Sequence, residues 1–319
     1  MQETYFERAL FFSWYCALGD CTFCYMSING NQKTESNNNP HLARRSFESI
    51  FAEAIISKEL NWKIEFVSGG YHSYTIDELV FLVKGIFEIT GQKQWLNIGH
   101  LTKEELKLFL PYSEGYAGTI ETVNWELRKK VCPSKHLAPI LKAFEHCDEL
   151  RLKKAITIII GLGETIDDFK KLHEFIEEHK IDRITFYALN PHPGTPFTSS
   201  PEKEYYSQWI QKTREVFPEL EIIAGAWLDK AEYYKSILEA GADNFTKLPA
   251  IREFNTKKMQ EVEKQINLSG KKLMSKLTNL PQLDWNSKVN KLSEKTFPNE
   301  LKNKIKAKLT SYLKQMDKN

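Results

Sequence analysis

No run of 18 apolar residues occurs anywhere in the 319-residue chain, which excludes a membrane-spanning helix. The opening Met1-Gln2-Glu3-Thr4-Tyr5 is polar and acidic and lacks the basic and apolar regions of a signal peptide. Cysteine is scarce and odd in number, with five residues, so a disulfide framework is not expected. A cytoplasmic protein fits these absences. Net charge is also small, +2 from 44 Lys and Arg against 42 Asp and Glu, and a nucleic-acid partner is not expected from that total. Apolar side chains are not lacking: at 41% hydrophobic and 12% aromatic the chain can build a full core.

The small total conceals an asymmetry. Residues 255–319 carry 15 Lys against 6 Asp and Glu, net +9, which leaves −7 on residues 1–254. The sequence therefore divides into an acidic body, 1–254, and a basic, mostly helical extension, 255–319. Leu301, Ile305 and Leu309 recur at intervals of four among lysines, a narrow apolar helical stripe. The extension reads either as a solvated helix packed on the body or as a docking surface, with Lys302, Lys304, Lys306 and Lys308 meeting an acidic partner or a nucleic acid.

Along the body, strand-like and helix-like segments alternate. Strand candidates are 9–15, 64–68, 95–98, 118–122, 155–160, 183–189, 220–224 and 244–248. Helices are expected over 46–60 with Ser46 as N-cap, 76–90 closed by Gly91, 102–109 with a Thr102/Glu105 capping box, 134–147, 165–179, 201–217 and 230–240. The polar stretch Gly30 to Arg45 reads as a long loop. Short apolar strands alternating with helices imply a parallel sheet covered on both faces. Eight such units in about 250 residues predict an α/β fold, a (β/α)8 TIM-type barrel with a mostly helical C-terminal tail; an open doubly wound sheet is the alternative.

The cysteines are unevenly spread. Cys16, Cys21 and Cys24 form a C-x4-C-x2-C motif just after the first strand, while Cys132 and Cys147 stand apart. In a barrel that loop lies on the C-terminal face, where active sites are built. Three clustered thiolates need a cationic partner. A structural zinc wants four closed ligands, and His72 or His100 are the candidates to complete one. Three cysteines can instead hold a [4Fe–4S] cluster with one iron left open. Both readings, and an incidental grouping, stand at this point. Cys132 follows Lys129-Lys130 and precedes the expected helix 134–147, a setting that favours a thiolate, as an auxiliary ligand or radical partner would need; an ordinary buried thiol is the other reading, and Cys147 reads as core.

The loop resembles the cysteine motif of the radical S-adenosylmethionine (radical SAM) superfamily, which has C-x3-C-x2-C with an aromatic before the last cysteine. Phe23 holds that aromatic position, and the first spacing is one residue longer. Further segments match in order. Ser68-Gly69-Gly70 resembles the family's strand end that receives the methionine amino group, with Tyr71 where Glu is common. Glu121 falls where a polar strand end contacts the cofactor. Ile159, Gly161 and Glu164 match the G-x-I-x-G-x-x-E segment beside adenine, with Thr157 in place of its first glycine. Tyr187 and Asn190 follow at the sixth strand end.

The resemblance covers roughly residues 8–254 and is strongest to the biotin-synthase-like branch, with Tyr187 to Phe197 most similar to the two-component archaeal-type lipoyl synthases. It implies a [4Fe–4S] cluster on Cys16, Cys21 and Cys24, S-adenosylmethionine as cofactor, and an electron donor such as ferredoxin or flavodoxin. It implies reductive cleavage to methionine and a 5′-deoxyadenosyl radical that abstracts hydrogen. The specific expectation is sulfur insertion into an octanoyl chain, with a second radical SAM protein or an acidic carrier as partner. Such chemistry uses a second iron–sulfur cluster, for which Cys132 and Cys147 are too few alone. Alternatives are a hydrogenase or organometallic cofactor maturase, an amino-acid mutase and, in another class, a zinc-stabilised nucleic-acid-binding module. Tyr71, His72, His192, Trp227 and Arg252 are expected to line a pocket.

Overall fold

Short apolar runs, too brief for helices and bounded by turns, pair side by side and bury both faces. In the computed structural model, which describes residues 2–27 and 39–318, these are β1 (Glu7–Phe11), β2 (Lys63–Ser68), β3 (Gln94–Asn97), β4 (Ser113–Glu121), β5 (Lys153–Ile160), β6 (Arg183–Ala188), β7 (Glu221–Gly225) and β8 (Asn244–Thr246). All neighbours are parallel and follow chain order. A bridge from Phe6 to Phe245 brings the last strand beside the first. The fold is the expected (β/α)8 barrel. The Ile-rich run makes the most regular pairing, from Ala155 opposite Arg183 to Ile160 opposite Ala188 without a shift.

Helices separate the strands: α1 (Phe47–Glu59), α2 (Ile76–Thr90), α3 (Lys103–Phe109), α4 (Trp125–Val131), α5 (Leu137–Leu150), α6 (Phe169–His179), α7 (Lys203–Val216) and α8 (Glu232–Glu239). The Thr102/Glu105 capping box is present, and Thr75/Glu78 makes a second one. Gly91 ends α2 in the left-handed region, φ 75°. Ser46 has the extended backbone of an N-cap but no side-chain cap bond.

Several expected bounds shift. The first strand runs Glu7–Phe11 rather than 9–15, and the fourth starts at Ser113 rather than 118. α4 is too short and too charged to show an apolar period, yet Asn124 caps it by accepting from the Leu127 N–H at 3.1 Å. The helix placed at 134–147 starts at Leu137, with Pro139 in its first turn, where a missing N–H costs nothing. Of the loop Gly30 to Arg45, residues 30–38 lie outside the described residues, and Arg44 bridges Ser13.

Beyond β8 the chain forms α9 (Lys257–Leu268), α10 (Trp285–Asn290) and α11 (Asn299–Met316). This segment is tied to the barrel. Lys272–Leu273 pairs in parallel with Glu3–Thr4, and the Trp62 Nε1–H donates to the Lys276 carbonyl at 2.8 Å. α11 lies on α1 with Ile305 and Leu309 buried as the apolar stripe predicts, and Phe297 meets Phe51 edge to face. Lys302 departs from the docking expectation. It is buried and donates to the Asn290 carbonyl at 3.2 Å, because it falls on the covered side of the helix. Among the described residues no helix is long and apolar enough to cross a membrane.

Candidate active site

The loop after β1 is held from both sides of the barrel mouth. Phe12 N–H donates to Ser68 O at 2.8 Å and Ala17 N–H to Tyr71 O at 3.1 Å, at the end of β2. Thr22 N–H donates to Val131 O at 2.9 Å, at the end of α4. The two glycines after β2 make this approach possible. A Cβ on Gly70 would stand 1.9 Å from Tyr15 O and 2.6 Å from Cys16 Cα, and one on Gly69 2.2 Å from Phe12 Cε2. The close approach expected of a ligand is thus made first by the cysteine loop itself.

Cys21 and Cys132 meet although 111 positions separate them in the chain. Cys132 donates its S–H to Cys21, which lowers the Cys21 pKa, while that bond and burial hold Cys132 protonated. Of the two readings of Cys132, the buried thiol fits and the thiolate does not, for a local reason. Cys132 follows the C-terminus of α4, where the helix dipole opposes negative charge. Lys129 points out to Glu126, and Lys130 is exposed. Burial pushes the Cys24 thiol up to about 12, against the Met26 N–H that donates to it at 3.4 Å. Phe23 and Cys24 pack with Cys21, Cys132, Leu162 and Leu189. Cys147 packs in the main core, its thiol pushed up to about 12 by burial.

Across the mouth, Glu121 ends β4 in the left-handed region, φ 70°, which a side chain with a Cβ rarely adopts. Its carboxylate accepts from Lys135 Nζ at 2.7 Å, and Lys135 also reaches Thr119 Oγ1 at 2.7 Å. Burial alone would weaken the Lys135 charge, but Glu121, then Cys21 and Tyr71, hold it protonated. Arg128 is buried and braces this corner, donating to Ile120 O at 2.9 Å and Lys135 O at 2.7 Å. Neither Lys135 nor Arg128 was singled out by the sequence; each is a charge among charges until its contacts are known.

Glu164 accepts from the N–H groups of Gly161, Leu162 and Gly163 at 2.7, 2.9 and 3.2 Å, so its carboxylate shapes the loop after β5. Gly161 and Gly163 sit at φ 110° and 120°, open to glycine alone. Ser68 is buried at the β2 end. Tyr187 is buried and donates its hydroxyl to Glu65, which also accepts from Thr246. Asn190 Nδ2 donates to the Tyr25 hydroxyl at 3.2 Å, and Tyr25 stacks on His192 with ring centres 3.9 Å apart. Of the expected pocket residues, Trp227 and Arg252 line one cavity of about 660 Å³ with Trp14 and Tyr25. Tyr71 and His72 line another, of about 310 Å³, with His100.

Among the described residues no three or more His, Cys, Asp and Glu are gathered to hold a metal ion. A cube of four irons takes its thiolates at separate corners, further apart than the ligands of one ion. Three cysteines on one anchored loop, with Gly70 fitted against Cys16, fit such a cluster in donor type and number.

Barrel and loop together define a (β/α)8 protein with a thiol-lined mouth. The Radical SAM superfamily matches residues 12–176, more than half of the chain, and the chain belongs to that superfamily, in its biotin-synthase-like branch. A protein of Methanocaldococcus jannaschii described as uncharacterized is 39% identical over 278 residues, 86% of this chain and 76% of the relative. A biotin synthase of Methanococcus vannielii is 25% identical over 178 residues, 55% of this chain and 52% of its own, so the match spans about half of that enzyme. The crystal structure of methylornithine synthase shares the fold, with a TM-score of 0.70 at 18% identity over 90% of this chain and 86% of the other. The family implies S-adenosylmethionine and a [4Fe–4S] cluster.

Proposed function

We propose that Cys16, Cys21 and Cys24 hold the cluster, that the ends of β2, β4, β5 and β6 hold S-adenosylmethionine, and that the chain carries out radical chemistry on a molecule at the barrel mouth. The observation that carries this reading is the fit of the cysteine loop against the glycine strand end, Gly70 to Cys16. When bound, cluster and cofactor supply reductive cleavage to methionine and a 5′-deoxyadenosyl radical. The chain's own groups position and enclose. Glu121 offers an acceptor to an ammonium or hydroxyl in competition with Lys135; Glu164 fixes the Gly161–Gly163 turn; the packed Phe23, Leu162 and Leu189 shield Cys21 and Cys24 from water.

After anaerobic reconstitution the full chain should bind about four irons and release 5′-deoxyadenosine under dithionite. Cys16→Ala, Cys21→Ala and Cys24→Ala should each lose iron, whereas Cys132→Ala should keep it. Fewer than about three irons per chain, or equal loss in Cys132→Ala, would sink the assignment. The finer reading is sulfur insertion into an octanoyl chain. Cys132 is engaged by Cys21 and Cys147 lies in the core, so the sulfur would come from a partner protein. A gain of sulfur mass on an octanoyl-carrier peptide, with that partner present, is the measurement that decides it.

A further inference from the structure

Lys247 directly follows β8 and has φ 73°, a left-handed backbone that a residue with a Cβ seldom keeps without cause. Its Nζ lies 4.2 Å from the ring centre of Tyr187 and 5.7 Å from that of Phe11. Tyr187 is itself fixed through its hydroxyl on Glu65, so the ammonium is propped on a rigid aromatic floor. Among the described residues Lys247 makes no hydrogen bond or ion pair.

Neighbouring charges are already engaged. Arg8 is paired with Glu53 and donates to Leu248 O at 3.1 Å. Arg45 is paired with Glu53 at 2.6 Å. The two carboxylates whose fields reach Lys247 most strongly are Glu65 and Glu121. Both are hydrogen-bonded elsewhere, to Tyr187 and Thr246 and to Lys135. A half-buried cation without a partner is an incomplete site.

Lys247 lines the cavity of about 660 Å³ that lies between β1 and the ends of β7 and β8. Its walls are Phe11, Trp14 and Trp227, and Tyr25 of the cysteine loop stands at its rim. Trp14 and Tyr25, both lining the cavity, are 44% and 49% exposed, large apolar surfaces left to solvent. The other charged residues of its lining are paired or at the exposed edge: Glu7 with Arg183, Arg8 and Arg45 with Glu53, Arg252 with Glu253, and Asp229 and Lys258 facing solvent. Apolar walls with a few placed charges are the usual composition of a small-molecule site.

We propose that this cavity binds the substrate and that Lys247 takes an anionic group on it, a carboxylate or a phosphate, while the aromatic walls hold an apolar or planar body. That the ligand is the substrate rests on the radical SAM reading; that the cavity binds an anion does not.

The test uses the reconstituted full chain with S-adenosylmethionine and three probes of one shape: phenylacetate, phenyl phosphate and the uncharged phenylacetamide, measured by equilibrium dialysis. At least one anion should bind about tenfold or more tighter than the amide, the reach of one charge-assisted hydrogen bond. Tighter phenylacetate assigns a carboxylate, and tighter phenyl phosphate a phosphoryl group. Lys247→Met should abolish the preference and Lys247→Arg should retain it. Lys264→Ala, an exposed cation on α9 outside the cavity, should leave it unchanged. Equal binding of acid and amide, no saturable binding of either anion, or a preference surviving Lys247→Met overturns the proposal. Iron content and uncoupled cofactor cleavage on the same samples separate the two readings. Cleavage without anion preference overturns Lys247 alone; anion preference without iron or cleavage overturns the radical reading alone.

Discussion

The two ends of the barrel interior use the same residue types to opposite ends. At the N-terminal end, the first residues of β1, β6 and β7 bring Glu7, Arg183 and Glu221 together. Arg183 reaches Glu7 at 2.5 Å and Glu221 at 3.0 Å, and donates to Glu65 O at 3.0 Å. Asn244 completes Glu7 at 2.7 Å, and the Trp95 ring lies 5.2 Å from the guanidinium. At the C-terminal end, Lys247 is left over and Glu121 keeps a left-handed backbone. At one end the cation is paired with two carboxylates; at the other it has none of its own, as at the end of a barrel where ligands bind.

The sharpest way to break this contrast is to remove one cation from each end. Arg183→Met strands Glu7, whose carboxyl is pushed up to about 7 by burial even with Arg183 beside it. Loss of one partner from a buried pair costs about 3–5 kcal/mol, read as a drop in the urea-unfolding free energy. Lys247→Met removes a cation that has no partner to strand, so its stability should stay within about 1 kcal/mol of wild type. Equal losses would mean that Lys247 is structural and that the two ends do not differ.

A second contrast lies between glycines. Gly70→Ala would drive a methyl group into Tyr15 O and the Cys16 backbone, displacing the cysteine loop. Iron loading should fall well below wild type while the far-UV spectrum is kept. Gly91→Ala meets nothing within 4 Å and carries only the strain of φ 75°, about 1–2 kcal/mol, with full iron loading. Normal loading in Gly70→Ala would mean that the loop does not depend on this contact.

The limits of sequence reading follow from where such contacts come from. The barrel was legible because its signals are local: Ile156 to Ile160 is a strand by composition, and Thr102 with Glu105 is a cap by spacing. The cysteine triad was legible for the same reason, being packed into nine residues. Pairings such as Arg183 with Glu7, 176 positions apart, leave no trace in either segment. Glu65 did leave one, a charge among the apolar Ile64, Phe66 and Val67. The thiolate reading of Cys132 failed because α4, too short and too charged to show an apolar period, left no signal, and with it went the sign of the nearest helix end.

The smallest expected effects test the tail, where the contrast turns on whether α11 is built into the barrel or a mere attachment. The Tyr312 hydroxyl meets Ser49 Oγ at 2.7 Å and accepts from Arg45 at 3.2 Å; Arg45 and Arg8 share Glu53. Burial would raise the Glu53 carboxyl, but Arg8 and Arg45 more than offset it and hold it below its ordinary 4.5. A carboxylate depressed in the folded state contributes stability that is fully present above its unfolded value. That contribution is lost as the pH falls through the folded one. Wild type should therefore lose stability progressively below pH 4.5, and Glu53→Gln, weaker at neutral pH, should show a shallower acid decline. Tyr312→Phe removes only the hydroxyl, at about 1 kcal/mol, and should leave the acid slope unchanged. A larger cost would place α11 within the network that holds the barrel; no cost would make it an attachment held by Ile305, Leu309 and Phe297 alone.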